Sequence, residues 1–238
     1  MATDKHDAAT REQAAMVIER ETAKRSLDVA QATIVKLEKR VKVLEAQVEE
    51  CKMESEMARP KLPPAQALTL DARTTALLAL DLSTRCTDPR VPCHRLVPSI
   101  SEFIKKARAS GVFVVYTVIS TQRGRPEGQV YPTFEAQPEE PVIYPDGYNK
   151  FVDGELQKIL SARGTKTVII TGSAANFACM YTATEAAERY GYEVVVPSDG
   201  IVTWTPYEHH YSLFQLTVLP GGIAQRIHLT ELRLISFA

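Results

Sequence analysis

The sequence predicts an α/β protein in which a parallel β-sheet lies between two layers of helices, preceded by one long N-terminal coiled-coil helix. Three observations support this fold class. From residue 72 onward, apolar segments short enough to be strands alternate with amphipathic helical segments. The strand segments are apolar on both faces, which is typical of a parallel sheet covered on both sides. The first sixty residues contain no glycine and carry a heptad repeat.

The heptad repeat consists of two apolar series whose steps alternate between three and four residues. The a positions are Leu27, Ile34, Val41 and Val48, and the d positions are Ala30, Leu37, Leu44 and Cys51. A stripe this narrow favours a partner helix, and β-branched residues at a with leucine at d favour a parallel two-stranded coil. We expect residues 1–59 to form a coiled-coil helix that binds an identical or a foreign partner. The alternative is a single, solvated, charged helix.

Prolines mark the end of this helix. Pro60, Pro63 and Pro64 remove backbone donors and favour extended backbone, so residues 60–71 are predicted to be a linker and residues 72–238 the α/β domain. The predicted strands of that domain are 74–82, 112–119, 166–172, 192–200 and 223–227. The predicted helices are 96–111, 153–164, 175–191 and 207–218.

Composition argues against several classes of protein. A net charge of −1, from 28 basic and 29 acidic residues, predicts no binding to nucleic acid or to anionic membranes. No apolar run reaches the ~18–20 residues of a membrane-spanning helix, and the N-terminal residues lack the apolar segment of a secretory signal. The four cysteines form no CxxC pair and no zinc-site spacing, so we predict a reducing, cytoplasmic location.

Two strand ends carry candidates for chemistry, because ligands of parallel sheets bind beyond the carboxyl ends of the strands. Asp81 ends an apolar strand, where a carboxylate must be solvated, paired or functional. It can serve as an acid or base, or simply cap a helix or turn. The segment "TGSAAN" (171–176) can direct backbone N–H groups at an anion, or its small residues can merely allow close packing.

Two segments carry a family resemblance: "ALLALDL" (76–82) and "TGSAANFACMYTATEAAERYGYEVVVPSDG" (171–200). In this order they resemble the isochorismatase-like hydrolase superfamily, which includes nicotinamidases and related cysteine amidohydrolases. The resemblance spans roughly residues 72–230 and implies a three-layer α/β/α fold with a Rossmann-like, parallel, six-stranded sheet. It also implies an Asp, Lys and Cys triad, in which the cysteine attacks an amide carbon, and homo-oligomers formed through the α/β domain.

Matched by position, the family's catalytic aspartate is Asp81. The rest of its "D-x-Q-x-D" motif is replaced by Ser83 and Arg85. The family's lysine falls on Pro145 when the flanking phenylalanine and leucine are aligned, and Lys150 lies nearby, where the motif has an alanine.

The family's cysteine precedes "T-A-x-x-A" by four residues, and counting back from Thr182 lands on Ala178. Cys179 is then one residue late, which is a rotation of about 100° along a helix. We expect Cys179 to pack as a small apolar residue. Members of the isochorismatase branch also lack this cysteine, because vinyl-ether hydrolysis needs protonation instead of acyl transfer.

The resemblance implies a cis peptide between Ser173 and Ala174 that aims the backbone amides of Ala174 and Ala178 into the pocket. Together with Cys179, these residues are the candidate set for binding a substrate or anion. The metal-binding Asp/His cluster of nicotinamidases has no counterpart, because residues 121–147 contain no histidine. We therefore predict no metal and no other cofactor.

Two main functions fit these residues. The broken triad and the added heptad helix favour a catalytically impaired domain that serves as a structural or scaffold subunit. The alternative is a hydrolase of a small amide, ester or vinyl ether, with Asp81 as acid or base and Lys150 as an electrostatic helper. A binding module with an intact pocket is a third reading. A Lys150 ammonium within hydrogen-bond reach of the Asp81 carboxylate would favour the hydrolase.

Overall fold

The computed structural model describes the backbone of residues 2–57 and 59–238, and the side chains of residues 16, 19–53 and 59–238. It divides the chain into two compact units, Met1–Pro60 and Lys61–Ala238, which are described separately. Met1 and Ala58, which belong to the predicted helical segment 1–59, lie outside the described residues.

The first unit is one helix, α1, which runs over Ala2–Met57 and contains 56 residues. At a rise of 1.5 Å per residue it is about 84 Å long. The large apolar side chains at the predicted a and d positions keep between 49% and 65% of their surface exposed. The predicted long helix is therefore present, and within this unit its apolar stripe is uncovered.

The second unit is built on parallel β-strands joined by helices. Its main sheet has the order β4-β3-β2-β5-β6-β8, with the short β7 beside β5, and every pairing is parallel. Strands β1 and β9 form a separate parallel pair. The strands are β1 Leu68–Leu70, β2 Thr75–Leu80, β3 Phe113–Thr117, β4 Val142–Ile143, β5 Thr167–Ser173, β6 Glu193–Pro197, β7 Ile201–Val202, β8 Ile227–Thr230 and β9 Ile235–Phe237. The helices are α2 Val97–Ala109, α3 Glu155–Ala162, α4 Met180–Glu188 and α5 Pro206–Thr217.

Helices cover both faces of the main sheet, because its strands are apolar on both sides. Leu78 and Leu80 of β2 join a hydrophobic cluster with residues of α3, α4 and α5. The alternate residue Leu77 joins a second cluster with residues of α2. All six residues of β2 are buried. This confirms the predicted three-layer fold with six strands in its main path.

Some predicted boundaries are wrong. The segment 223–227 was expected to be a strand, but Ile223–Arg226 is a 3₁₀ helix and the strand follows it as β8. Strand β1 lies inside the predicted linker 60–71 and pairs with the C-terminal β9, so that end of the linker belongs to the domain. The short strands β4 and β7 have two residues each, too few for a periodic signal.

The predicted reducing location would favour free cysteines, and one pair of cysteines departs from that expectation. Cys86 and Cys93 form a disulfide across a separation of 7 residues. It joins the 3₁₀ turns Thr84–Thr87 and Pro92–Leu96, which follow β2. The spacing matched no zinc or redox motif, so nothing in the local sequence indicated the bond.

Candidate active site

Asp81 lies immediately beyond the carboxyl end of β2, in the middle of the sheet. Its backbone has φ of +54°, in a left-handed region that few residues other than glycine adopt and that clusters at functional sites. Its amide donates to the carbonyl oxygen of Thr117 at 2.9 Å. The main chain therefore turns sharply here and is held against the end of β3.

The Asp81 carboxylate forms a buried ion pair with Lys150. The distance from Lys150 Nζ to Asp81 Oδ2 is 2.8 Å, and Lys150 is only 1% exposed. Lys150 Nζ also donates to the carbonyl oxygen of Gly147 at 3.3 Å. The alignment that placed the family's lysine on Pro145 is corrected by this contact, because Lys150 supplies the ammonium at the carboxylate.

Local packing directs Lys150 inward. Its backbone amide donates to Thr182 Oγ1 of α4 at 3.1 Å, and the following Phe151 is buried with its ring against Tyr190. The amide of Phe151 in turn donates to Asn149 Oδ1 at 3.0 Å. The turn is thus anchored on both sides of the lysine, which leaves its side chain pointing toward the sheet edge.

Burial determines the protonation of the carboxyl group. Desolvation raises the pKa of Asp81 above its ordinary value, and the positive charge of Lys150 opposes this only in part. The Asp81 carboxyl therefore holds a proton to a higher pH than an exposed aspartate does.

Unpartnered oxygen atoms surround the ion pair. None of the described residues hydrogen-bonds Asp81 Oδ1, Thr117 Oγ1 or Ser173 Oγ, although all three atoms are buried. These residues come from the carboxyl ends of the neighbouring strands β2, β3 and β5, since Leu80 pairs with both Thr117 and Gly172. Buried polar atoms without partners are rare, and this cluster is suited to a polar ligand.

The strand β5 approaches β2 very closely at this point. Gly172 has φ of +131°, and a Cβ there would lie 2.1 Å from the Leu80 carbonyl oxygen. The predicted cis peptide follows between Ser173 and Ala174 and is confirmed. Ala175–Cys179 then form a π-helical turn that leads into α4, and such turns recur at functional sites.

Cys179 is the last residue of this turn, belongs to the hydrophobic cluster beside α4 and is 1% exposed, as is Ala178. Burial raises the pKa of the Cys179 thiol, the Asp81 charge raises it further, and Lys150 lowers it. The Cys179 thiol is therefore close enough to Asp81 and Lys150 to be affected by both charges, and its burial favours the protonated form. Ala178 carries only a methyl group and cannot act as a nucleophile.

The loop after Asp81 is firmly attached to the domain. The Thr84 amide donates to the Gln129 carbonyl oxygen at 2.8 Å, and its hydroxyl donates to the Pro126 carbonyl oxygen.

The sequence analysis did not identify Thr117 as a site residue, although its position at the end of a buried strand was a signal that could have identified it.

A comparison with protein families identifies the domain. The family model described as "Isochorismatase domain" matches residues 75–225. The chain belongs to the isochorismatase domain family.

Individual relatives agree with this assignment. A Verticillium dahliae protein named "Secreted isochorismatase effector Isc1" is 26% identical over 150 residues, which is 59% of this chain and 77% of that protein. An isochorismatase family protein from Burkholderia thailandensis superposes with a TM-score of 0.61 at 26% identity, covering 71% of this chain and 97% of that one. The YcaC gene product of Escherichia coli, an octameric hydrolase of unknown specificity, has a TM-score of 0.54 at 21% identity, over 71% and 79% of the two chains.

Two observations concern the cellular location of this isochorismatase-family chain. No helix among the described residues is long and apolar enough to cross a membrane. The predicted cytoplasmic location stays a prediction, and the Cys86–Cys93 disulfide argues against it, because disulfides persist mainly in oxidising compartments.

The isochorismatase domain offers few ligands for a metal. Within the described part of the chain, no group of three or more His, Cys, Asp or Glu side chains is placed to hold a metal ion. The ionisable groups at the candidate site are the Asp81 carboxyl, the Lys150 ammonium and the Cys179 thiol, with the Arg85 guanidinium close enough to lower the pKa of Asp81. This set is suited to moving a proton and stabilising charge.

Proposed function

We propose that this isochorismatase domain is a hydrolase that cleaves a small vinyl ether by proton transfer from Asp81, without a cysteine nucleophile. The observation that carries the proposal is the 2.8 Å contact between Lys150 Nζ and Asp81 Oδ2, made while Asp81 Oδ1 is buried and unpartnered. One oxygen of the carboxyl group is held in place and the other is free to meet a substrate.

The residues at the cysteine position support a vinyl ether over an amide or ester. Acyl transfer through the enzyme needs a nucleophile: Ala178 carries only a methyl group, and burial raises the pKa of the Cys179 thiol, which disfavours its thiolate form. Vinyl-ether hydrolysis needs an acid instead. The Verticillium dahliae relative is named an isochorismatase, and isochorismate contains a vinyl ether.

In the proposed reaction, Asp81 Oδ1 carries the proton and transfers it to the terminal vinyl carbon. The adjacent carbon becomes an oxocarbenium ion, to which water adds with loss of a proton that returns the carboxylate to its acid form. The resulting hemiketal breaks its C–O bond and releases a carbonyl compound and an alcohol. The raised pKa of Asp81 favours the protonated starting state.

Lys150 has two tasks in this proposal. Its ammonium holds Oδ2 and so orients Oδ1, and it stabilises the carboxylate that forms when the proton leaves. The Ser173 hydroxyl and the backbone amides of Ala174 and Ala178 are proposed to hold oxygen atoms of the substrate, because they border the same strand end.

The proposal is tested by turnover of isochorismate, nicotinamide and simple amides by the purified full chain. We expect release of the carbonyl product from isochorismate alone, a loss of about 10²–10⁴-fold in kcat for Asp81→Asn, and little change for Cys179→Ala. Asp88→Asn is the matched control, since Asp88 lies farther along the same loop, where it pairs with Arg90. Amide hydrolysis that disappears with Cys179→Ala would contradict the proposal.

A second candidate function is a non-catalytic scaffold subunit that assembles through α1. The uncovered apolar stripe of α1 supports it. This candidate predicts no turnover of any tested substrate, which separates it from the hydrolase.

A further inference from the structure

We infer that the apolar stripe of α1 is covered by α1 of a second copy of this chain, with the two helices parallel and in register. This inference concerns assembly and does not depend on the proposed hydrolase activity. The stripe is the set of a and d residues between Leu27 and Cys51.

The stripe has the size and composition of a dimer contact. It spans four heptads, about 37 Å of helix at 1.5 Å per residue, and its large side chains are exposed within the first unit. Ile34, Val41 and Val48 at a, with Leu37 and Leu44 at d, form the pattern that selects two parallel strands.

The charges beside the stripe identify the partner. In a parallel pair in register, each g residue faces the e residue of the next heptad on the other helix. This places Glu19 opposite Lys24 and Arg40 opposite Glu45, each twice per dimer. The three remaining g–e positions in this span contain no pair of like charges. The helix is therefore electrostatically complementary to itself.

The antiparallel arrangement is disfavoured by the same residues. In an antiparallel pair, each a residue of one helix packs against a d residue of the other. The e positions of the two helices then face each other, and so do the g positions. Glu38 would then face Glu38, Arg40 would face Arg40, and Lys24 would face Lys52. Like charges at these positions weaken a coiled coil.

Cys51 reports on the orientation directly. It occupies a d position, so a parallel pair in register places both Cys51 thiols in one layer, whereas the antiparallel pair places Cys51 opposite Leu27. Cys51 is an exposed free thiol, Cys179 is buried, and Cys86 and Cys93 are bonded to each other. A short bis-maleimide will therefore cross-link the native chain through Cys51 alone.

The first experiment treats the full chain with a short bis-maleimide and measures the covalent mass by denaturing electrophoresis and mass spectrometry. We expect a cross-linked dimer whose linked peptides both contain Cys51, and no dimer for Cys51→Ser. A chain that sediments as a monomer, or that stays uncross-linked while Cys51 is singly modified, overturns the inference.

The second experiment changes the charges. Arg40→Glu places a carboxylate against Glu45 at both symmetric positions. We expect the protein concentration required for Cys51 cross-linking to rise roughly tenfold. Adding Glu45→Arg restores the attraction and the cross-linking. Lys39→Glu is the matched control, because it makes the same charge change at the outward f position. An equal effect of Lys39→Glu and Arg40→Glu, or no recovery in the double variant, overturns the proposed register.

Discussion

Asp81 and Lys150 form a kind of contact that proteins rarely keep for stability alone. Removing two charges from water costs several kcal/mol per ion, and a well-packed apolar pair is often as stable. Here the carboxyl group is only 7% exposed and one of its oxygens has no partner among the described residues. Its backbone also adopts a left-handed conformation. The desolvation, the unpartnered oxygen and the left-handed backbone all cost free energy at one residue. Asp81 lies at the carboxyl edge of the sheet, where ligands bind, so a functional role explains these costs better than stability does.

The pH dependence of turnover tests the state of Asp81. If Asp81 acts as an acid, kcat/KM is flat at low pH and falls as pH rises through its raised pKa. Lys150→Met removes the positive charge that opposes burial, so the pKa of Asp81 rises further and the fall moves to higher pH. The measurement is the pH profile of kcat/KM for both proteins, with the exposed Lys105→Met as control. A fall that moves to lower pH in Lys150→Met would contradict the assignment.

At the scale of elements, the loop between β2 and α2 begins at Asp81. Arg85 lies in this loop, and its positive charge lowers the pKa of Asp81, although less than Lys150 does. The loop contains two 3₁₀ turns and gains its rigidity from the bond between Cys86 and Cys93. Contacts of Thr84 and its neighbours hold the loop against residues 126–130, and Cys86 and Cys93 are buried in the cluster that includes residues of α2.

Replacing both bonded cysteines, in Cys86→Ser with Cys93→Ser, is expected to lower the free energy of unfolding by about 2–3 kcal/mol, because the unfolded chain regains loop entropy. Urea denaturation without reductant measures this. Reductant should destabilise the natural chain by the same amount and leave the variant unchanged. Alkylation of all four cysteines in denaturant without reductant would show that the bond does not form.

At the scale of the whole molecule, the two units have different physical requirements. Lys61–Ala238 encloses two hydrophobic clusters of its own, one on each face of the sheet. Within Met1–Pro60, the described apolar side chains of α1 are exposed. The second unit therefore has the core of an independent domain, whereas the first exposes the stripe that the proposed dimer would cover.

Deleting residues 1–60 should leave the kcat of the domain unchanged and remove assembly through α1. The cut precedes Leu62, which packs against the larger cluster, so the core stays complete. Turnover and sedimentation of the truncated chain check both expectations. A truncated domain that folds but loses turnover would mean that the helix takes part in catalysis.

The sequence alone determined the elements whose signals are periodic. Alternating apolar strands and amphipathic helices predicted the three-layer fold, and the heptad spacing predicted α1. Each of these patterns depends on the spacing of residues that are close in sequence. The position of Asp81 followed from the same logic, since it directly ends a buried strand.

Only the tertiary structure decided which groups meet at that strand end. Lys150 reaches Asp81 through a turn whose path is set by Thr182 and Phe151, so counting from a family motif to Pro145 misplaced the lysine. The Cys86–Cys93 bond and the raised pKa values of Asp81 and Cys179 likewise depend on distance and burial. These quantities arise when segments far apart in sequence pack together, and no local pattern encodes them.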